Sequence, residues 1–214
     1  MLNPVLHTVP ISGIRPTQMG VGLREVAKKR HQWCIEGDVK KANFLGKHLI
    51  PVVVGPKQRM YCIDHHHLLR ALHEEGVEQV LVNVVARFDR VPDMAAFWFI
   101  MDIQRWVFPW DEDGQRHDYA KLPKSIDRLA DDEWRSLAGA VQESGGFAKE
   151  VAPFSEFVWA DFFRRRMKVK SLTQDFKLAV YDALQLARSD EAQYLPGWCG
   201  PHNHHAEAPP TNRP

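Results

Sequence analysis

IPVVVGPKQRMYCIDHHHLLRALHEEGVEQVLVNVVAR, residues 50–87, changes its hydrophobic period twice and so decides the fold. Ile50-Pro51-Val52-Val53-Val54 is a mostly β-branched run closed by Gly55-Pro56. After the turn GPKQR a second short apolar run spans Met60 to Ile63, and the pair reads as a β-hairpin. From His65 to Glu75 the apolar residues Leu68, Leu69 and Leu72 fall at helical spacing, with Gly76 as the natural stop. Gln79 to Arg87 returns to a strand pattern. The segment is therefore predicted as β-turn-β-α-β, its helix opening at Asp64 or His65.

Outward from this unit, Pro4, Pro10 and Pro16 predict an irregular N-terminal arm over residues 1–16. Thr17 to Trp33 reads as loop then helix, with Glu25 placed to pair with Lys29 one turn on. Asp38 is positioned to cap a second short helix ending near Gly46. C-terminal to the strand at 79–87, helices are predicted at Met94 to Trp106 behind an Asp93 cap, and at Asp132 to Ser144 behind Asp131. Two more are expected at Phe154 to Lys168 and Leu172 to Arg188. The fold class is α+β. A small mixed-sheet core spans 17–92, a helical extension packed on it spans 93–194, and a flexible tail spans 195–214.

At 214 residues the chain suits one compact domain with a helical extension, and 44% hydrophobic residues supply a core. The 28 Lys and Arg against 27 Asp and Glu leave a net charge of +1, which gives no global field for a polyanion. A nucleic-acid partner would need a local patch, and Arg164 to Lys170 is the best candidate, with dipole complementarity as its structural explanation. Cys34, Cys62 and Cys199 are scattered and odd in number, the usage of reduced thiols in a cytosol. Neither a signal peptide nor a membrane span is predicted. The expected setting is cytoplasmic, and the expected state a monomer or weak dimer.

The chemistry concentrates at Asp64-His65-His66-His67. With Asp64 as N-cap, the three histidines would form the first helical turn, where backbone N–H groups lack partners and the dipole is positive. Such an end accepts anions, and imidazole N–H groups would add contacts to a phosphate. A metal is disfavoured, because adjacent helical residues project about 100° apart and cannot easily share an ion. Ligands would have to come from elsewhere, such as Asp89. The remaining alternative is a histidine cluster that only caps the helix.

The order of RPTQMGVG (15–22), IPVVVGP (50–56), YCIDHHHLLRAL (61–72), FW (97–98), LADDEWRSLA (129–138) and FSEFVWADFFR (154–164) resembles the ParB/sulfiredoxin superfamily, and within it the putative ParB-like nuclease family. The resemblance runs from about residue 13 to 168. It implies a helix start that grips the phosphates of ATP or CTP, with Mg2+ as companion, and it assigns that role to Asp64, His65, His66 and His67. Gln18 and Glu25 are the candidates from the N-terminal element. Two positions depart from the pattern. His66 stands where sulfiredoxins carry a nucleophilic cysteine, which excludes that chemistry, and Leu68 stands where an arginine often follows, so Arg70 is the nearest guanidinium.

The expected function is phosphoryl transfer or phosphodiester cleavage, with His66, His67 and Glu25 as proton-transfer groups. A non-catalytic, nucleotide-gated module in DNA partition or metabolism is the alternative. The aromatic block Phe97, Trp98, Phe99, Trp106, Phe108 and Trp110 reads as core before it reads as a base-stacking platform. FPWDEDGQRHDY (108–119) reads as a solvated turn, and HNHH (202–205) as adventitious.

Overall fold

The computed structural model describes residues 6–35, 44–150 and 152–201. Strands β1 (Leu6–Pro10), β2 (Ile14–Pro16), β4 (Ile50–Gly55), β5 (Arg59–Cys62) and β6 (Gln79–Arg87) form one mixed sheet in the order β1-β6-β4-β5-β2. β4 and β5 are the antiparallel hairpin read from the sequence, and β6 returns parallel to β4 after the helix α3 (His66–Glu74). Gly76 ends that helix with φ +72°, a conformation open to glycine at no steric cost.

Both faces of the sheet are covered, which explains why β4 reads as a continuous apolar run rather than an alternation. Val52 and Cys62 face a core completed by Leu68, Leu69 and Leu72 of α3 and by Val26 and Trp33 of α1 (Leu23–Ile35). Val53 and Tyr61 face the other way, against Phe97 and Met101 of α4 (Met94–Ile103). A third core is wholly helical. It joins α5 (Glu133–Glu143), α6 (Ser155–Arg164), α7 (Val169–Gln174) and α8 (Phe176–Ala187) around Leu137, Trp159, Phe163 and Ala183. The expected α+β class, a small mixed sheet with a mostly helical C-terminal part, is what the chain forms.

Several boundaries differ from the sequence-based expectation. The N-terminal arm is not irregular where it is described. β1 pairs antiparallel with β6, and β2 parallel with β5. Pro10 and Pro16 sit at strand ends, and β1 and β2 are the two sheet edges, where the missing N–H costs no ladder bond. Asp38 lies outside the described residues, which resume with a helical turn, α2, at 44–47. α4 stops at Ile103, and Arg105 has φ 55°, so it does not run on to Trp106. The cap of α5 is Asp132, not Asp131, its Oδ1 accepting from Arg135 N at 3.0 Å. The helix expected over 172–188 is broken at Asp175, whose carboxylate caps α8 by accepting from Leu178 N at 3.0 Å.

Residues 195–201 are not a free tail. Leu195 and Trp198 pack on the helical core, and the Pro196 carbonyl accepts from Trp159 Nε1 at 2.8 Å. The HNHH stretch lies outside the described residues. A short pairing of β3 (Gly20–Val21) with β7 (Ala130–Asp131) ties the start of α1 to the start of α5.

Candidate functional site

α3 opens differently from the expectation. Its N-cap is His65, in the left-handed region at φ 64°, with no side-chain cap. Asp64 does not reach one turn into the helix, because its Oδ1 accepts from the adjacent His65 N at 2.6 Å. Shifting the start by one residue leaves the N–H groups of His66, His67 and Leu68 as the unpaired first turn.

The three histidines have three different fates. His65 is exposed. His66 is buried, and its Nε2 accepts from Thr17 N at 3.2 Å. The Cys62 carbonyl interacts with the same ring and also accepts from Thr17 Oγ1 at 2.7 Å. Burial pushes the His66 imidazole down to about 4, so at neutral pH it is an uncharged acceptor. His67 Nε2 accepts from Gly22 N at 3.0 Å. Burial first, and the Arg135 charge second, hold His67 well below the ordinary histidine value. Two neighbouring imidazoles therefore pin the 17–22 loop onto α3 instead of presenting two charged donors. The expectation that their imidazole N–H groups add contacts to a phosphate is corrected accordingly.

Glu25 and Arg135 complete the floor. Glu25 Oε2 lies 3.0 Å from His67 Nε2 and 2.8 Å from Arg135 Nη1, in place of the Lys29 pairing expected within α1. Arg135 also pairs with Glu156 of α6. The approach of α1 to α5 depends on two glycines. A Cβ on Gly139 would stand 3.1 Å from Glu25 Cδ, and one on Gly22 would stand 2.9 Å from Ser136 N. Burial raises the Glu25 carboxyl above its ordinary value, and the Arg135 charge opposes that rise in part. Arg135 is only 5% exposed; Glu25 holds its Nη1 in an ion pair, while its Nε has no hydrogen-bond partner among the described residues. A buried guanidinium whose Nε lacks an acceptor is an energetically costly feature that an anion would relieve.

These groups line one cleft of about 580 Å³. Gln18, Glu25, Asp64, His65, His66 and His67 all border it, so the structure brings together nearly every candidate from the sequence. The buried Gln18 donates its amide to the Gly20 carbonyl at 2.7 Å, which shapes the loop. Arg70 is the exception. It lies outside the cleft, where Nη1 donates to the Ile126, Asp127 and Leu129 carbonyls and Nε to Glu74. α3 carries it on another face, as its spacing from the histidines dictates.

Sequence reasoning missed Arg135, Lys29, Arg105 and Lys149, all of which border the cleft. A signal for Arg135 existed. It is a charged residue inside the apolar stripe Trp134, Leu137, Ala138 of an otherwise buried helix face. The second wall is the start of α6, whose N-cap Phe154 also adopts a left-handed conformation, φ 63°, without a side-chain cap. Among the described residues no group of three or more His, Cys, Asp or Glu side chains is arranged to hold a metal.

The other features resolve into structure. Arg164 pairs with Asp132 and Asp161, Arg165 with Asp161, and Arg166 with Glu191, which consumes the arginines of the basic stretch. In the 108–119 turn, Asp111 accepts from the Asp113 and Gln115 N–H groups and pairs with His117. Cys34 Sγ donates to Glu75 Oε2 at 3.1 Å, Cys62 and Cys199 form no disulfide among the described residues, and burial raises the Cys62 thiol far above its ordinary value. No described helix is long and apolar enough to cross a membrane.

No curated protein matches the chain. Among solved structures, the crystal structure of protein Atu1540 from Agrobacterium tumefaciens is similar over 94% of this chain and 99% of that one, with 48% identity and a TM-score of 0.88. The profile of the family described as "Putative ParB-like nuclease" matches residues 7–165, a span that holds all of the sheet but Leu6, together with the α3 start, Glu25, Arg135 and the start of α6. With that span matched and the mixed sheet in place, the chain belongs to the ParB-like putative nuclease family.

Proposed function

We propose that the cleft between the starts of α3 and α6 binds a phosphate-bearing ligand, a nucleotide such as ATP or CTP or a nucleic-acid phosphodiester, and that Glu25 moves a proton in phosphoryl or phosphodiester transfer. The observation that carries this reading is the buried Arg135, whose Nε has no partner among the described residues, beside an uncapped helix start. The N–H groups of His66, His67 and Leu68 and the Arg135 guanidinium supply donors for phosphate oxygens. Lys29, Arg105 and Lys149 supply positive charge at the walls. His66 and His67 serve through their backbone and as loop anchors. The raised Glu25 carboxyl exchanges its proton nearer neutral pH than an ordinary glutamate, which suits a general acid or base. The donor set fits phosphate groups. Mg2+, where present, would neutralise phosphate charge and would enter on the ligand. The ion pairs of Arg164 to Arg166 weaken the alternative of a DNA-partition module, since they remove its best basic surface.

The test is titration calorimetry with pyrophosphate, ATP and CTP, on wild type and on a Lys29→Ala/His65→Ala double variant chosen at less buried positions. Removing one charge-assisted hydrogen bond costs about 1.5–3 kcal/mol, a rise in Kd of roughly ten-fold or more. No binding by wild type at millimolar ligand, or equal affinity in both proteins, overturns the proposal. Turnover of bis(4-nitrophenyl) phosphate that survives Glu25→Gln unchanged overturns the role of Glu25.

A further inference from the structure

We propose that a second groove, on the opposite face of the sheet from α3, binds a small planar aromatic acid. The groove encloses about 670 Å³ between α4 and the 118–124 segment, within the range of small-molecule sites. It lies on the Tyr61 side of β5, whereas α3 covers the Cys62 side, so it is separate from the cleft described above.

Its walls are flat and aromatic. Trp98 stacks on Tyr119 with centroids 5.4 Å apart and planes 20° from parallel, and Tyr61 meets Trp98 edge-on at 5.4 Å. Phe99 borders the same groove and is 68% exposed, an unusual fate for a phenylalanine beside a packed aromatic cluster. Such surfaces favour offset or edge-on contact with another ring.

The polar groups are the second observation. Tyr61 is 2% exposed, and its hydroxyl has no hydrogen-bond partner among the described residues. Tyr119, by contrast, donates its hydroxyl to Asp102 at 2.7 Å and accepts from Arg116 at 3.0 Å. A buried hydroxyl without a partner is destabilising, and a ligand oxygen or nitrogen reaching it would relieve that cost.

Charge sets the class of ligand. Arg15, which pairs with Tyr61 in the β2–β5 register, and Lys124 both border the groove. Neither side chain forms an ion pair or hydrogen bond among the described residues. The two bordering acids are engaged, Asp102 with Tyr119 and Asp118 with Ala120 N at 2.8 Å. Uncommitted positive charge favours an anion. The nearby carboxylates disfavour a long polyanion and favour one compact negative group on an apolar ring. An aryl carboxylate has that shape and charge.

The experiment uses the full chain, with 1-naphthoate as probe and 1-naphthalenemethanol as its uncharged counterpart, read by tryptophan fluorescence and calorimetry. Wild type is expected to bind naphthoate saturably below about 1 mM, and the alcohol at least about five-fold more weakly. Arg15→Ala/Lys124→Ala brings naphthoate down to the level of the alcohol. Tyr61→Phe weakens both probes by about three- to ten-fold, as the loss of one hydrogen bond does, while the melting temperature of the free protein stays level or rises. Pyrophosphate does not compete. Failure of wild type to saturate, equal affinity in all variants, or displacement by pyrophosphate overturns the proposal. Displacement of naphthoate by oligodeoxythymidine through the same residues would assign the groove to single-stranded nucleic acid, and would also overturn it. Neither probe depends on the Arg135 cleft, so this result stands or falls apart from the phosphate reading.

Discussion

Acidification should loosen this protein through one histidine. His66 is held neutral inside the sheet–helix junction, its imidazole lowered from 6.5 to about 4 while it accepts the Thr17 N–H. Between those two values the unfolded chain binds a proton at this site and the native chain does not. Stability contributed there is therefore present above about pH 6.5 and is lost as pH falls toward 4. At about 1.4 kcal/mol for each pH unit, the full loss approaches about 3 kcal/mol, and about 2 kcal/mol is gone by pH 5. His67, also lowered, acts in the same direction. Glu25 and Asp132, both raised by burial, act in the opposite one and offset part of the loss. Comparing wild type with His66→Gln isolates the single site, since glutamine can still accept from Thr17 but does not titrate. Urea unfolding at about pH 7.5 and about pH 5 should show wild type losing about 2 kcal/mol more than the variant, or about 4–8 °C of melting temperature. Equal losses in the two proteins would refute the assignment of His66 as a buried neutral acceptor.

Other outcomes follow from the same packing. Arg135→Met should destabilise by about 3–5 kcal/mol in chemical denaturation, because Glu25 and Glu156 are left facing each other without their shared cation. Adding Glu25→Gln should recover part of that loss, and no recovery would argue against the coupling. Gly22→Ala should lower the melting temperature by an amount matching about 1–3 kcal/mol, since its Cβ would press on Ser136 backbone at 2.9 Å. Gly46→Ala, with nothing within 4 Å of the added methyl, serves as the silent comparison.

Much of the fold was legible because it is local. The hairpin at 50–62, the helix behind it, the Gly76 stop and the strand 79–87 each follow from period and turn chemistry within a few residues. The edge strands were not legible, because proline signals the absence of one donor but not which strand edge will leave that donor unneeded. The candidate site was half legible. DHHH was visible as a helix start, yet its one-residue shift depends on His65 accepting a left-handed conformation.

Spacing along the chain determined which residues could share a helix face, and so already separated Arg70 from the histidines. Only the tertiary structure decided what those histidines meet. Thr17 and Gly22 come from a loop more than forty residues away, and Arg135 from a helix nearly seventy residues on in the other direction. Burial and partner together set whether an imidazole is a charged donor or a neutral acceptor, and both are properties of the assembled fold, which no local stretch of sequence contains.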